Sequence, residues 1–159
     1  MSKIMSEEEA GRFAERVRSE GKKVVFTNGC FDILHVGHVR YLQGARQQGD
    51  CLIIGLNSDR SVQELKGPRR PIVPQDERAE VLAALACVDV VSIFDDLRPD
   101  DLIRAVRPSI HVKGGDLTEE QLPEGPLIRS LGGEIRMMPL APDRSTSRLI
   151  QLIEEAVGV

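Results

Sequence analysis

Near the front of the chain, Asn28-Gly29-Cys30-Phe31-Asp32-Ile33-Leu34-His35-Val36-Gly37-His38 follows directly on the apolar run Lys23-Val24-Val25-Phe26-Thr27. This places a His-x-Gly-His spacing where a strand gives way to a helix. Histidines spaced this way share one helix face. At a helix N-terminus they meet unpaired backbone N–H groups and the positive end of the dipole, a setting that attracts anions. Each imidazole can donate a hydrogen bond to a phosphate oxygen, and Gly37 lets a ligand approach the backbone. Two surface histidines without a role are the plain alternative. A zinc pair fits poorly, because helical zinc histidines commonly stand at i and i+4 and no further ligand set accompanies these two.

The turn before that helix, Asn28, Gly29, Cys30 and Phe31, could cup phosphates with its backbone. Asp32 reads as a cap or brace for the turn more readily than as a reacting group, and Phe31 as packing. No partner pattern activates Cys30 as a nucleophile. Lys66, in Leu65-Lys66-Gly67-Pro68-Arg69-Arg70-Pro71, is either a flexible phosphate clamp or a solvated loop charge. Arg69 and Arg70 read as solvated charges. Arg78 lies on a helix, where a salt-bridge role competes with a substrate contact. Asn57-Ser58-Asp59 offers short polar groups for hydroxyl recognition or for capping. Lys113-Gly114-Gly115-Asp116 permits close approach to a flat ring, with Asp116 suited to a ribose hydroxyl, a base or plain turn chemistry. His111, inside an apolar strand, reads as a satisfied core histidine. Ser145-Thr146-Ser147 opens the last helix, where one hydroxyl can cap it and the rest form a second anion site, with Arg144 and Arg148 adding charge.

These groups need elements to position them. The chain has 159 residues, 41% hydrophobic and 29% charged, with a formal net charge of −4. That length fits one domain with a sizeable core. The acidic balance argues against bulk nucleic acid as a partner and leaves room for a small phosphorylated ligand. No run of about 18 apolar residues is present, so no membrane span is expected, and the acidic N-terminus does not read as a signal peptide. Cys30, Cys51 and Cys87 are widely spaced and suit free thiols in a reducing cytoplasm.

A capping box, Ser6 with Glu9, opens a helix over Glu7 to Ser19. Strands are expected over Lys23 to Thr27, Cys51 to Leu56, Val88 to Phe94, Ile110 to Lys113 and Glu134 to Pro139. Helices are expected over His35 to Gln48, Gln75 to Ala86, Asp100 to Val106 and Ser145 to Val157. Asn57 to Pro74 reads as loop, and Leu117 to Ser130 as loop with a short helix. This alternation implies an α/β fold: a single Rossmann-like domain over residues 1–159, an N-terminal helix in 1–21 and a core over 22–153, with a five-stranded parallel sheet and helices on both faces. Ligands of such sheets sit at the carboxyl ends of strands near the switch in strand order. Four segments fall there: Thr27 to His38, Asn57 to Gly67, Lys113 to Asp116 and Leu140 to Ser147. Histidines, a lysine and helix N-termini, without a Ser-His-Asp order, suit nucleotidyl transfer, which needs positioning and placed charge more than covalent chemistry.

The opening motif, with Asn57-Ser58-Asp59, Leu65-Lys66-Gly67, Arg70-Pro71, Glu77-Arg78, Val112-Lys113-Gly114-Gly115-Asp116, Gly132-Gly133 and Ser145-Thr146, resembles the cytidylyltransferase-like nucleotidyltransferases over roughly Lys22 to Ile153. Within them the likeness runs toward adenylyltransferases acting on D-glycero-β-D-manno-heptose 1-phosphate. The resemblance implies ATP as donor with Mg²⁺ held mainly by phosphate oxygens, a sugar 1-phosphate as acceptor, and a cytoplasmic homodimer. It implies His35, His38 and Lys66 as catalytic groups. Asn28, Gly29, Cys30, Phe31, Gly37, Lys113, Gly115, Asp116, Ser145, Thr146 and Ser147 would bind the nucleotide, and Asn57, Asp59, Lys66 and Arg78 the acceptor. No metal-ligand set in the protein, no nucleic acid and no membrane are implied. Ser147 stands where the family usually has threonine. The proline-bearing stretch Gln121-Leu122-Pro123-Glu124-Gly125-Pro126-Leu127 is atypical and touches the choice of acceptor. A CTP-dependent enzyme for glycerol 3-phosphate or a similar small phosphate, and a regulatory module without turnover, are the alternatives.

Overall fold

The computed structural model describes residues 2–139 and 145–159. Arg144 and most of the Leu140 to Ser147 segment therefore lie outside the described residues. Strand and helix alternate as the sequence implies. The strands are β1 (Val24–Gly29), β2 (Cys51–Asn57), β3 (Val90–Phe94), β4 (Ile110–Gly114) and β5 (Glu134–Met138). They form one parallel sheet in the order β3-β2-β1-β4-β5. The chain steps outward from β1 to β2 and β3, then returns to the other side of β1 for β4 and β5. The switch point lies between β1 and β4, where the connecting segments leave in opposite directions and open a crevice.

Among the described residues the helices are α1 (Glu7–Ser19), α2 (Val36–Arg46), α3 (Asp59–Lys66), α4 (Gln75–Ala83), α5 (Asp100–Val106), α6 (Gly125–Ser130) and α7 (Thr146–Val157), with a 3₁₀ turn at Glu119–Gln121. The capping box of α1 is present: Ser6 Oγ accepts from Glu9 N, and the Glu9 carboxylate accepts from Ser6 N at 2.8 Å.

The expected loop over Asn57 to Pro74 is corrected, because its first half is α3. Ser58 caps that helix by accepting from Ser61 N, and Val62 is its buried apolar contact. Gly67 ends it at φ 102, a left-handed value that glycine adopts without a Cβ penalty. The helix is short and the prolines after it dominate local propensity, so only docking onto β2 stabilises it. β1 also runs two residues further than expected, to Gly29, because β2 pairs with it through Leu56.

Alternate residues of the central strands enter two cores, one on each face of the sheet. Val24, Phe26 and Ile53 pack with Ala10, Ala14, Leu102 and Ile103, under α1 and α5. Val25, Leu52 and Ile54 pack with Leu42, Ala45 and Leu82, under α2 and α4. The Tyr41 hydroxyl ties α2 across the sheet, donating to Val112 O at 3.1 Å and meeting Thr27 Oγ1 at 2.7 Å.

Gly55 sits mid-strand in β2 because its neighbours leave no room: a Cβ there would lie 2.8 Å from Phe26 Cζ and 3.2 Å from Leu102 Cδ2. Gly55→Ala is accordingly expected to lower stability by about 1–3 kcal/mol through overpacking, read as a shift in the urea midpoint at unchanged slope.

Candidate active site

A cavity of about 780 Å³ opens at the carboxyl ends of β1, β2 and β4. Asn28 and Gly29 reach it from the end of β1, Cys30 and Phe31 from the turn after it, and His35, Gly37 and His38 from the start of α2. Asn57 ends β2, Lys66 ends α3 and Lys113 lies near the end of β4, and all three line the same wall. Ser145, Thr146 and Ser147 close it from the start of α7. Segments far apart in sequence meet because parallel strands present all their carboxyl ends on one edge of the sheet.

His35 is the N-cap of α2, and the histidine pair caps the helix reciprocally. His35 Nδ1 accepts from Gly37 N at 3.1 Å, and His38 Nδ1 accepts from His35 N at 3.3 Å. A ring nitrogen that accepts carries no proton, so each ring bears its proton on Nε2. The rings lie 3.9 Å apart, centroid to centroid. Burial, with the neighbouring His35 second, pushes His38 down from 6.5 to about 4. Near neutrality His38 is therefore a neutral Nε2–H donor. Full positive charge on the cavity wall comes instead from Lys66, Lys113, Arg70 and Arg98.

The turn after β1 is shaped for close approach. Phe31 holds φ 44, and its ring covers Gly29, where a Cβ would lie 3.0 Å from Phe31 Cε2. The same ring stands 5.3 Å from His38. Thr146 Oγ1 donates to Ile33 O at 3.2 Å and Ser145 Oγ accepts from Arg148 N at 3.0 Å, which seats the start of α7 against this turn. The Cys30 thiol is pushed up by burial, against the pull of Lys66 and Arg78, so it stays protonated.

Asp32 is the brace that the sequence suggested. Its buried carboxylate accepts from Ile72 N and Val73 N, both at 2.9 Å, and from Arg70 Nε at 2.6 Å. Burial would raise its pKa, but those N–H groups and Arg70 outweigh it and hold it low. Arg70, read from sequence as solvated, is corrected: its side chain is only 15% exposed and it lines the cavity.

Of the two readings of Arg78, the structure has the salt bridge, and the substrate contact that the resemblance implied is corrected. Its side chain is fully buried and does not line the cavity. The guanidinium donates to Val73 O at 2.9 Å, Cys30 O at 2.6 Å, Asn57 O at 2.9 Å and Asp59 Oδ1 at 2.8 Å. With its donors engaged in this way, Arg78 serves the scaffold. Asp59 pairs with it and also stands off the wall. At the end of β4 the wall is made by Lys113, Gly114 and Leu117; Gly115 and Asp116, expected there, are not part of it.

Sequence reasoning missed Arg98 and named Glu124 only as part of the atypical stretch 121–127; both are on the wall. Glu124 accepts from His111 Nε2 at 3.1 Å and lies 3.9 Å from Lys113 Nζ. His111 is buried as expected, but its Nδ1 has no hydrogen-bond partner among the described residues. A signal existed: His111 and Lys113 alternate on one face of an apolar strand, and two such groups need a counter-charge.

The strand switch and the histidine-capped helix start beside it fit the class of nucleotidyltransferase domains. A family model described as cytidylyltransferase-like matches residues 26–152, and the chain belongs to that family. The chain is 48% identical to the bifunctional protein HldE of Trichlorobacter lovleyi over 97% of its own length and 31% of the relative's. It is 51% identical to that of Syntrophotalea carbinolica over 96% and 31%. The chain thus spans about a third of the curated relatives it matches. A crystal structure of the lipopolysaccharide core biosynthesis protein from Thermoplasma volcanium is similar at 27% identity and TM-score 0.62, covering 76% of this chain and 98% of that one. No helix among the described residues is long and apolar enough to cross a membrane.

Two outcomes follow from these contacts. Arg78→Met should lower stability by about 3–5 kcal/mol, since it strands Asp59 and three carbonyls, as a urea titration would read. A depressed histidine takes up its proton more readily in the unfolded chain. Its contribution to stability is therefore complete above pH 6.5 and lost as pH falls through about 4. His38→Gln should accordingly flatten the stability profile between pH 7 and 4.5 relative to wild type, measured by urea midpoints.

Proposed function

We propose that the chain transfers the adenylyl group of ATP to D-glycero-β-D-manno-heptose 1-phosphate, giving ADP-heptose and pyrophosphate. The observation that carries this reading is one cavity uniting the histidine pair, Lys66, Lys113 and the start of α7. The likeness to the HldE proteins over nearly the whole chain supports it, as does the motif set resembling the heptose 1-phosphate adenylyltransferases. An oxygen of the sugar phosphate attacks the α-phosphorus, a new P–O bond forms, and the bond to the bridging oxygen breaks to release pyrophosphate. Nothing covalent is asked of the protein. Nε2–H of His35 and His38 donates to phosphate oxygens as charge shifts onto the leaving group, and Lys66 and Lys113 supply positive charge. The N–H groups at the starts of α2 and α7 add fixed dipoles.

Mg²⁺ fits this cavity as a companion of ATP. The wall carboxylates, Asp32 and Glu124, are already committed to N–H groups and cations. No group of three or more potential ligands occurs among the described residues. Phosphate oxygens and water would hold the ion, which would neutralise charge on the triphosphate. Three free cysteines among the described residues support work in the reducing cytoplasm. A homodimer rests on the family resemblance and is tested by sedimentation.

The test is pyrophosphate release from each nucleoside triphosphate with heptose 1-phosphate. ATP should support turnover; turnover with CTP and none with ATP overturns the reading. Removing one preorganised donor costs about 100-fold or more in kcat. His35→Ala and His38→Ala should show losses of that order while remaining folded by circular dichroism. Wild-type rates in both would remove the histidines from the mechanism.

A further inference from the structure

The chemistry above uses Lys113 but leaves unexplained what holds it. Glu124, only 4% exposed, sits between the 3₁₀ turn and α6, and its place is fixed from several sides. Its carboxylate accepts from His111 Nε2 at 3.1 Å, and its carbonyl accepts from Ile128 N at 3.0 Å. The preceding carbonyl, Pro123 O, accepts from Arg98 Nη2 at 2.9 Å. His111 cannot yield either, being fully buried on β4 and stacked 5.6 Å from Phe26. The third partner is the Lys113 ammonium at the end of its long side chain, which lies 3.9 Å from Glu124 and donates to Asn28 Oδ1 at 3.3 Å. Asn28 lies near the carboxyl end of β1, beside the β1/β4 switch point.

We infer that Glu124 is a positioning residue for adenylyl transfer, holding the Lys113 ammonium against Asn28 at the wall where phosphate binds, with His111 setting the place of its carboxylate. The role in transfer rests on the function proposed above; the hold on Lys113 does not. The other groups facing the ammonium add little charge. Cys30 is a protonated thiol, His111 is held neutral by burial despite Glu124, and Asn28 is an amide. The remaining wall histidine of lowered basicity, His38 on α2, is neutral. Burial lowers the pKa of Lys113 and Glu124 opposes that. Burial would raise Glu124, but His111 and Lys113 outweigh it and hold it at about 2. Removing the carboxylate should therefore make Lys113 less basic as well as less ordered.

Glu124→Gln keeps shape and an acceptor for His111 but removes the charge. The test has a substrate-free arm and a kinetic arm. Acetic anhydride labelling of Lys113 across pH, read by mass spectrometry, should show its midpoint move to lower pH in Glu124→Gln. Turnover of ATP and heptose 1-phosphate should fall about tenfold, and the same change in a Lys113→Met chain should cost nothing further. An unmoved midpoint, or an equal loss in the Lys113→Met chain, overturns the inference. A moved midpoint in a protein inactive on ATP and heptose 1-phosphate would instead reject the proposed reaction while leaving the hold on Lys113 standing. If Glu124→Gln does not fold, Glu124→Asp takes its place. It should show a smaller midpoint shift and a smaller loss of turnover, and wild-type values on both readouts overturn the inference.

Discussion

The buried guanidinium of Arg78 is the joint on which the site depends. The turn after β1, the end of β2, the start of α3 and the segment before α4 all converge at one point, each with a backbone or side-chain acceptor to satisfy. Arg78 meets the carbonyls of Cys30, Asn57 and Val73 and the carboxylate of Asp59 with one planar fork. Lysine could not do this, because an ammonium is a compact point charge without that fixed geometry. Asp32 braces two of these four segments, the turn after β1 and the run before α4, with opposite polarity, accepting from Ile72 N, Val73 N and Arg70. Together they fix the turn that presents Asn28 to Phe31 to the cavity. Buried polar networks of this kind are costly when half made and rigid when complete.

That rigidity shapes the electrostatics. The histidines are spent on capping α2 through their Nδ1 atoms and their tilted rings lie 3.9 Å apart, so a positive charge on His38 would be poorly solvated and close to the other ring. What remains is an oriented N–H donor on each ring. The division of labour is then clear. In the proposed transfer, fixed neutral donors and helix N-termini would define where phosphate sits, while cations on the wall, Lys66, Arg70, Arg98 and Lys113, would supply charge. Such an arrangement favours developing negative charge without reorganising during reaction.

Much of this was legible in the residues. The apolar run Cys51 to Leu56 announced a strand buried on both faces, and the capping box at Ser6 and Glu9 marked α1. The His-x-Gly-His spacing marked the start of α2 and one wall of the cavity. Helix α3 was not legible, because eight residues of mixed polarity between a strand and a run of prolines carry little periodic signal. In sequence Arg70 looks like a surface charge and Arg78 like a helix salt-bridge partner. Their burial is set by Asp32, 38 residues from Arg70, and by Cys30, 48 residues from Arg78, and no local pattern encodes those separations.

The sequence by itself determined the periodicities, the strand-to-helix turn and the order of the strands, because these follow from side chains within a few residues of one another. From that order came the α/β class, and from parallel strands the edge on which ligands bind. Only the tertiary structure decided which charges face the cavity and which are consumed by the scaffold. Asp59 and Arg78 turned inward to each other, Arg70 was drawn to the wall, and Glu124 met His111 and Lys113. The physical reason is that a buried charge takes its position from its counter-charge, and the counter-charge is chosen by the packing of distant segments.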